Sequence, residues 1–135
     1  MIQFKSFKNI TVSILLSLAC VAARASTEIL VFYNQYCGHC STWMQTTGNT
    51  YTADAPAFLG EQYPIMRKYD LSKPENMSQY KQYLSSGTLT EKITAVPAFV
   101  ITNSQNKEIA RTIGAMSKEE FYAFVQGALK KNPNA

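Results

Sequence analysis

Ile29-Leu30-Val31-Phe32-Tyr33-Asn34-Gln35-Tyr36-Cys37-Gly38-His39-Cys40 is the stretch on which the reading of this chain turns. Its first five residues are apolar and favour β structure. An uninterrupted run of that kind predicts a strand covered on both faces, in the middle of a sheet. Asn34-Gln35-Tyr36 turns the chain, and a helix is expected from about Gly38, carrying Cys40, Trp43 and Met44. The two cysteines therefore stand where a central strand feeds the first turn of a helix. Unpaired N–H groups gather there and favour an anion. A thiolate is such an anion, so the Cys37 thiol is expected to be more acidic than an ordinary cysteine and to be the attacking sulfur. Cys40, one turn in, is expected to be more buried and to resolve a mixed disulfide on Cys37.

Working outward, Thr46-Thr47-Gly48-Asn49-Thr50 is a poor helix sequence. A break is expected there, then a second helical piece from about Ala53 to Glu61. Pro64 to Tyr69 predicts a second strand ending at Asp70. Pro74 in a first turn opens a helix that runs to about Ser85 and stops at Gly87. Ala98 to Thr102 and Glu108 to Ile113, joined by the polar Asn103-Ser104-Gln105-Asn106, predict a β-hairpin. Ser117 and Glu120 form a capping box for a last helix, which lays Phe121, Phe124, Val125, Ala128 and Leu129 on one face. The order strand, helix, strand, helix, strand, strand, helix predicts an α/β fold. Its mixed sheet has about four strands with helices on both faces. The first two strands are parallel across a right-handed crossover, and the last two are antiparallel.

A chain of 135 residues has room for one domain. With 46% hydrophobic and 16% charged residues it can build a core, which excludes a disordered tail. Lys5 and Lys8 precede an apolar run from Ile10 to Ala23, and Ala23-Arg24-Ala25 follows. The run is shorter than the ~20 residues of a membrane-spanning helix. A basic start, a short apolar middle and an Ala-x-Ala end predict a secretory signal peptide over residues 1–25, cut after Ala25 or after Ala23. The alternatives are a retained anchor and a lipoprotein cleaved before Cys20. The remaining domain spans 26–135. Loss of Lys5, Lys8 and Arg24 leaves ten basic and nine acidic residues, a net charge of +1 in place of +4. That balance, without a basic stripe, argues against a nucleic-acid partner. Cys20 leaves too, so Cys37 and Cys40 remain, in an oxidising compartment.

A Cys-x-x-Cys pair serves as a dithiol centre, as half of a metal site, or as a structural disulfide. A structural zinc takes four ligands. Cys37, Cys40 and the sole histidine, His39, lie in one short loop and do not readily supply them. A disulfide closing so small a loop restricts the unfolded chain little. The redox reading is the one with a mechanism, and it needs no metal or organic cofactor. A partly protonated His39 imidazole near Cys37 would further stabilise the thiolate, which makes the disulfide a better oxidant. Trp43 is expected in the core behind the pair, and Tyr36 is expected to be exposed and to line the substrate surface.

The apolar strand, Cys37-Gly38-His39-Cys40 on a strand-to-helix turn, Ala95-Val96-Pro97 before the third strand, and Ile113-Gly114-Ala115-Met116-Ser117-Lys118 before an amphipathic helix resemble the thioredoxin superfamily. The tetrapeptide is like that of protein disulfide isomerase domains. Trp43 and Pro64-Ile65-Met66-Arg67 look closer to exported bacterial thioredoxin-like reductases, such as those of sulfur-oxidation operons. The resemblance implies a thioredoxin-like sheet lacking the N-terminal strand and helix of a full thioredoxin. It implies a cis Val96–Pro97 bond beside Cys37, with the Val96 backbone pairing with substrate. Many thioredoxins bury an acid six residues before the first cysteine, and here that position is Val31.

The expected function is that of an exported, periplasmic thiol–disulfide oxidoreductase. It acts on protein thiols and disulfides through Cys37 and Cys40, leaning to reduction, with electrons from a membrane thiol carrier. The alternatives are a dithiol oxidant, a non-catalytic binding module and a redox sensor.

Overall fold

The computed structural model describes residues 26–135, and the expected signal peptide, its cleavage point and Cys20 lie outside them. The elements are β1 Glu28–Tyr33, α1 Gly38–Trp43, a π-helical turn Met44–Gly48, α2 Tyr51–Leu59, β2 Ile65–Asp70, α3 Pro74–Ser85, β3 Ala98–Thr102, β4 Glu108–Ile113 and α4 Lys118–Lys131. The strands lie in the order β2-β1-β3-β4. β1 runs parallel to β2 and antiparallel to β3, and β3 runs antiparallel to β4. This is the mixed four-stranded α/β sheet that the element order predicts.

The apolar run decides the layering. Successive side chains of a strand point to opposite faces, and Ile29 to Phe32 are all buried because both faces are covered. Ile29 and Val31, with Phe99 and Ile101 of β3, meet Trp43, Tyr51, Ala55, Phe121, Val125 and Ala128 from α1, α2 and α4. Leu30 and Phe32, with Ala98 and Val100, meet Tyr80, Tyr83 and Leu84 of α3 and Leu89 beyond it. β2 is an edge strand and is half exposed, which suits its Arg67 and Lys68. α4 opens with the expected capping box: Ser117 Oγ accepts the Glu120 N–H at 3.1 Å, and Glu120 Oε2 accepts the Ser117 N–H at 2.9 Å. Tyr122 is buried as well, stacked on Phe58 at a centroid distance of 4.0 Å, an aromatic beyond the face read from the sequence.

The expected break over residues 46–50 is narrower than the stretch suggests: helical structure runs on to Gly48, and only Asn49-Thr50 turn before the second helix. The chain stays helical through a widened turn, in which the Asn49 N–H donates to the Met44 carbonyl at 2.8 Å. Thr46 Oγ1 bonds back to the Thr42 carbonyl at 2.9 Å, so this threonine caps the backbone it was expected to disrupt. Gly48 lets the turn close onto the Trp43 ring, which a side chain there would strike. α2 then starts at Tyr51, two residues before the expected Ala53, and ends at Leu59 instead of Glu61. Tyr51 accounts for the early start. It is buried, and its hydroxyl donates to the Pro64 carbonyl at 2.6 Å. Packing has overridden propensity. Gly60, at φ 85°, ends the helix.

Candidate active site

β1 leaves the sheet at Tyr33 and makes a tight turn before Cys37. Asn34 Oδ1 accepts the Tyr36 N–H at 2.9 Å, and the Asn34 carbonyl accepts the Cys37 N–H at 3.0 Å. The turn is held from below by Asp70, the last residue of β2 and the register partner of Tyr33. Asp70 is 3% exposed. Its Oδ1 accepts from the Gln35 N–H at 3.3 Å, the Ser72 N–H at 3.0 Å and the Ser72 hydroxyl at 2.7 Å. The Gln35 side-chain amide donates to Ser72 Oγ at 3.0 Å and closes the network. Burial alone would raise the Asp70 pKa, but these bonds outweigh it and hold the carboxyl below its ordinary range. Asp70 escaped the sequence reading. The available signal was Asp-x-Ser at a strand end, a pattern that folds back on its own backbone.

Cys37 is the N-cap of α1, and its sulfur accepts the Cys40 N–H at 3.3 Å. The Cys37 thiol is held below its ordinary pKa. The hydrogen bond with the Cys40 side chain is the largest cause, burial opposes it, and the backbone N–H groups of Cys40 and His39 add to it. Cys40 is 1% exposed. Burial, followed by the hydrogen bond with Cys37, pushes its thiol up to about 11. The pair is thus polarised: an accessible sulfur that loses its proton readily, and a covered one that keeps it. Both are free thiols.

His39 is exposed, and the contact it makes toward the Cys37 sulfur is through its backbone N–H. Tyr36 is 83% exposed beside Cys37 in sequence. Trp43 is buried, with ring centroids 4.6 Å from Phe99 and 5.3 Å from Phe121. The Val96–Pro97 bond is cis. The register of Ala98 with Phe32 puts Pro97 at the end of the sheet from which β1 runs toward Cys37. The Pro97 carbonyl accepts the Gly114 N–H at 2.8 Å, with Gly114 at φ 102°. Among the described residues, neither the N–H nor the carbonyl of Val96 has a hydrogen-bond partner. Val31 is fully buried among apolar side chains, and Glu28 pairs with Arg67 Nε at 3.1 Å at the other end of β1. A cleft of about 530 Å³ also lies at that far end, lined by Glu28, Arg67 and Thr102 among others, and does not include Cys37. Among the described residues, no three His, Cys, Asp or Glu side chains gather into a metal site.

No protein-family model and no curated protein sequence matches the chain. Solved structures do. The periplasmic thioredoxin SoxS from Paracoccus pantotrophus, in its reduced form, superposes with a TM-score of 0.58 at 18% identity, covering 78% of this chain and 98% of its own. A thioredoxin from Thermus thermophilus matches with a TM-score of 0.55 at 16% identity, over 87% of this chain and 85% of its own. The germline-specific thioredoxin Deadhead from Drosophila melanogaster matches with a TM-score of 0.54 at 20% identity, over 83% and 90%. At these identities the likeness establishes a thioredoxin fold.

Proposed function

We propose that the chain is an exported thiol–disulfide oxidoreductase that reduces disulfides of protein substrates through Cys37 and Cys40. One observation carries this reading. An accessible thiol of lowered pKa caps a helix one turn before a buried thiol whose pKa is pushed up to about 11. The Cys37 thiolate attacks one sulfur of a substrate disulfide. The other substrate sulfur leaves as a thiolate and takes up a proton, and a mixed disulfide on Cys37 remains. Cys40 then loses its proton and attacks the Cys37 sulfur, expelling the second substrate thiol. One substrate disulfide becomes two thiols, and the protein's dithiol becomes a disulfide. The high pKa of Cys40 keeps it silent until the mixed disulfide forms beside it.

The dithiol carries both electrons, so no cofactor is called for. A membrane thiol carrier resets the pair. The basic and apolar start of the sequence, ending Ala23-Arg24-Ala25, supports export, and the likeness to periplasmic SoxS supports the periplasm. Val96 offers unpaired backbone groups at the right end of the sheet for an extended substrate segment, and Tyr36 offers an exposed ring. His39 follows within the same first helical turn and turns its backbone N–H toward the attacking sulfur.

A second reading, a dithiol oxidant, is favoured by the lowered Cys37 pKa, because a stabilised thiolate makes the disulfide more oxidising. Equilibration against glutathione separates the two: a potential below about −200 mV marks a reductant, and one near about −120 mV an oxidant. The proposal is tested by insulin reduction with dithiothreitol as donor. Turnover that disappears in Cys37→Ser is expected, together with mixed disulfides that accumulate in Cys40→Ala. A protein without turnover in either direction would be a binding module, and the proposal would be refuted.

A further inference from the structure

Residues 86–97 link α3 to β3 and end in the cis Val96–Pro97 bond. This long connection is tied down almost along its length. The Glu108 N–H donates to the Thr88 carbonyl at 3.0 Å, and the Thr90 N–H donates to Glu108 Oε1 at 3.0 Å. The Ile93 N–H donates to the Tyr80 hydroxyl at 2.9 Å. The centre of the clamp is Arg111 of β4. Its Nη1 donates to the Lys92 carbonyl and its Nη2 to the Glu91 carbonyl, each at 2.9 Å. The same guanidinium grips Glu108 with two bonds, Nε to Oε2 at 2.8 Å and Nη2 to Oε1 at 2.7 Å. The two side chains are 13% and 8% exposed. A carboxylate fork on one side and two loop carbonyls on the other use the planar donor set of arginine, which a lysine ammonium does not reproduce.

Only Thr94, Ala95 and Val96 separate the last pinned amide, Ile93, from Pro97, whose carbonyl is held by Gly114. Among the described residues the backbone groups of Thr94 to Val96 have no hydrogen-bond partner, so this segment is a short bridge fastened at both ends. Resting on the redox reading above, we infer that Arg111, locked by Glu108, is a positioning residue for substrate. It holds the Thr94–Val96 edge in the conformation onto which an extended substrate segment adds as a strand. Ordering such an edge before binding removes an entropic cost that binding would otherwise bear. Arg111 belongs to β4, and none of its hydrogen bonds reaches the Cys37–Cys40 turn. Its effect therefore falls on recognition and leaves the chemistry of the sulfurs alone.

The test compares a protein disulfide, insulin, with a small one, 5,5′-dithiobis(2-nitrobenzoate), in Arg111→Met and Arg111→Lys. Both variants keep most of the side-chain packing. Loss of the clamp is expected to raise KM for insulin about ten-fold. The kcat, the rate with the small disulfide and the redox potential stay within about two-fold of the parent or unshifted, as they depend on the sulfurs. Equal losses on both substrates, a shifted potential, or an unchanged insulin KM would overturn the inference. Should Arg111→Met fail to fold, Glu108→Gln releases the same fork more gently. Amide order parameters for residues 94–96 are expected to fall in that variant while those of β1 hold, and unaltered values would also overturn it. If the parent protein reduces neither disulfide, the redox reading fails instead, and the order parameters still decide whether the clamp orders this edge.

Discussion

Replacing Gly48 and Gly127 by alanine, one at a time, is expected to move stability in opposite directions, although both glycines lie in helical segments. A Cβ at position 48 would sit 2.7 Å from Cζ3 of Trp43 and 2.6 Å from Sδ of Met44. Carbon atoms pack best at about 3.5–4.0 Å, so the indole would have to recede by roughly 1 Å. The methionine end moves cheaply, but Trp43 does not: it is 1% exposed and wedged against Phe99 and Phe121. Overpacking of this kind costs about 1–3 kcal/mol. The helical preference for alanine returns roughly 0.5–1 kcal/mol, so a net loss of about 1–2 kcal/mol is expected. At Gly127 nothing lies within 4 Å of the added Cβ, and its backbone is ordinary helix. There the full gain of about 0.5–1 kcal/mol should appear. For a domain of this size the melting temperature should fall by roughly 4–8 °C in the first variant and rise by about 2–4 °C in the second. Urea denaturation of both proteins reads the difference directly. A Gly48→Ala protein as stable as the parent, or two shifts of the same sign, would refute the packing of the π-helical turn against Trp43.

With limiting iodoacetamide at neutral pH, peptide mapping should find Cys37 alkylated before Cys40, because burial and the Cys37 hydrogen bond hold the Cys40 thiol up to about 11. Cys40→Ala should slow Cys37 alkylation, since the side-chain hydrogen bond between the two is the largest cause of the acidic Cys37 thiol. Asp70→Asn should cost about 1–2 kcal/mol in urea denaturation, by weakening the charge-assisted bonds to Gln35 and Ser72, and should speed hydrogen exchange at the Gln35 amide. Acid should destabilise the protein partly through Glu108. Burial would raise the Glu108 pKa, but Arg111 and Thr90 outweigh it and hold the carboxyl below the ordinary glutamate range. A folded-state pKa below the unfolded one gives stability that is present above the unfolded value and lost as pH falls through the folded value. The urea midpoint should therefore drop between about pH 5 and pH 2, and Glu108→Gln should start lower and show a shallower slope.

Much of the site was legible because its signals are local. Ile29 to Phe32 announce a doubly covered strand through their unbroken apolar character, and β1 is that strand, with its side chains split between two cores. The spacing of Cys37 and Cys40, the turn at Asn34 and the helix start at Gly38 follow from neighbours within one turn of chain. Pro74 and the Ser117–Glu120 box mark helix starts by the same short-range hydrogen-bond logic. Propensity placed the break too early: Thr46 to Gly48 stay helical, and only Asn49-Thr50 turn. Thr46 bonds back to Thr42, Gly48 lies against Trp43, and Tyr51 bonds to Pro64 across 13 residues of sequence, a contact that no local pattern specifies.

The sequence alone determined the order of the elements and the place of the dithiol at a strand-to-helix junction, with Cys37 at the helix start and Cys40 one turn in. Those depend on caps, turns and periodicities that act over a few residues. Tertiary structure decided what holds the site in shape. Asp70 reaches Gln35 across 35 residues of sequence, and Arg111 reaches Glu91 and Lys92 across 20 and 19. A buried carboxylate or guanidinium takes whichever donors or acceptors the folded sheet brings within about 3 Å. That choice exists only once β1, β2 and β4 have met their neighbours.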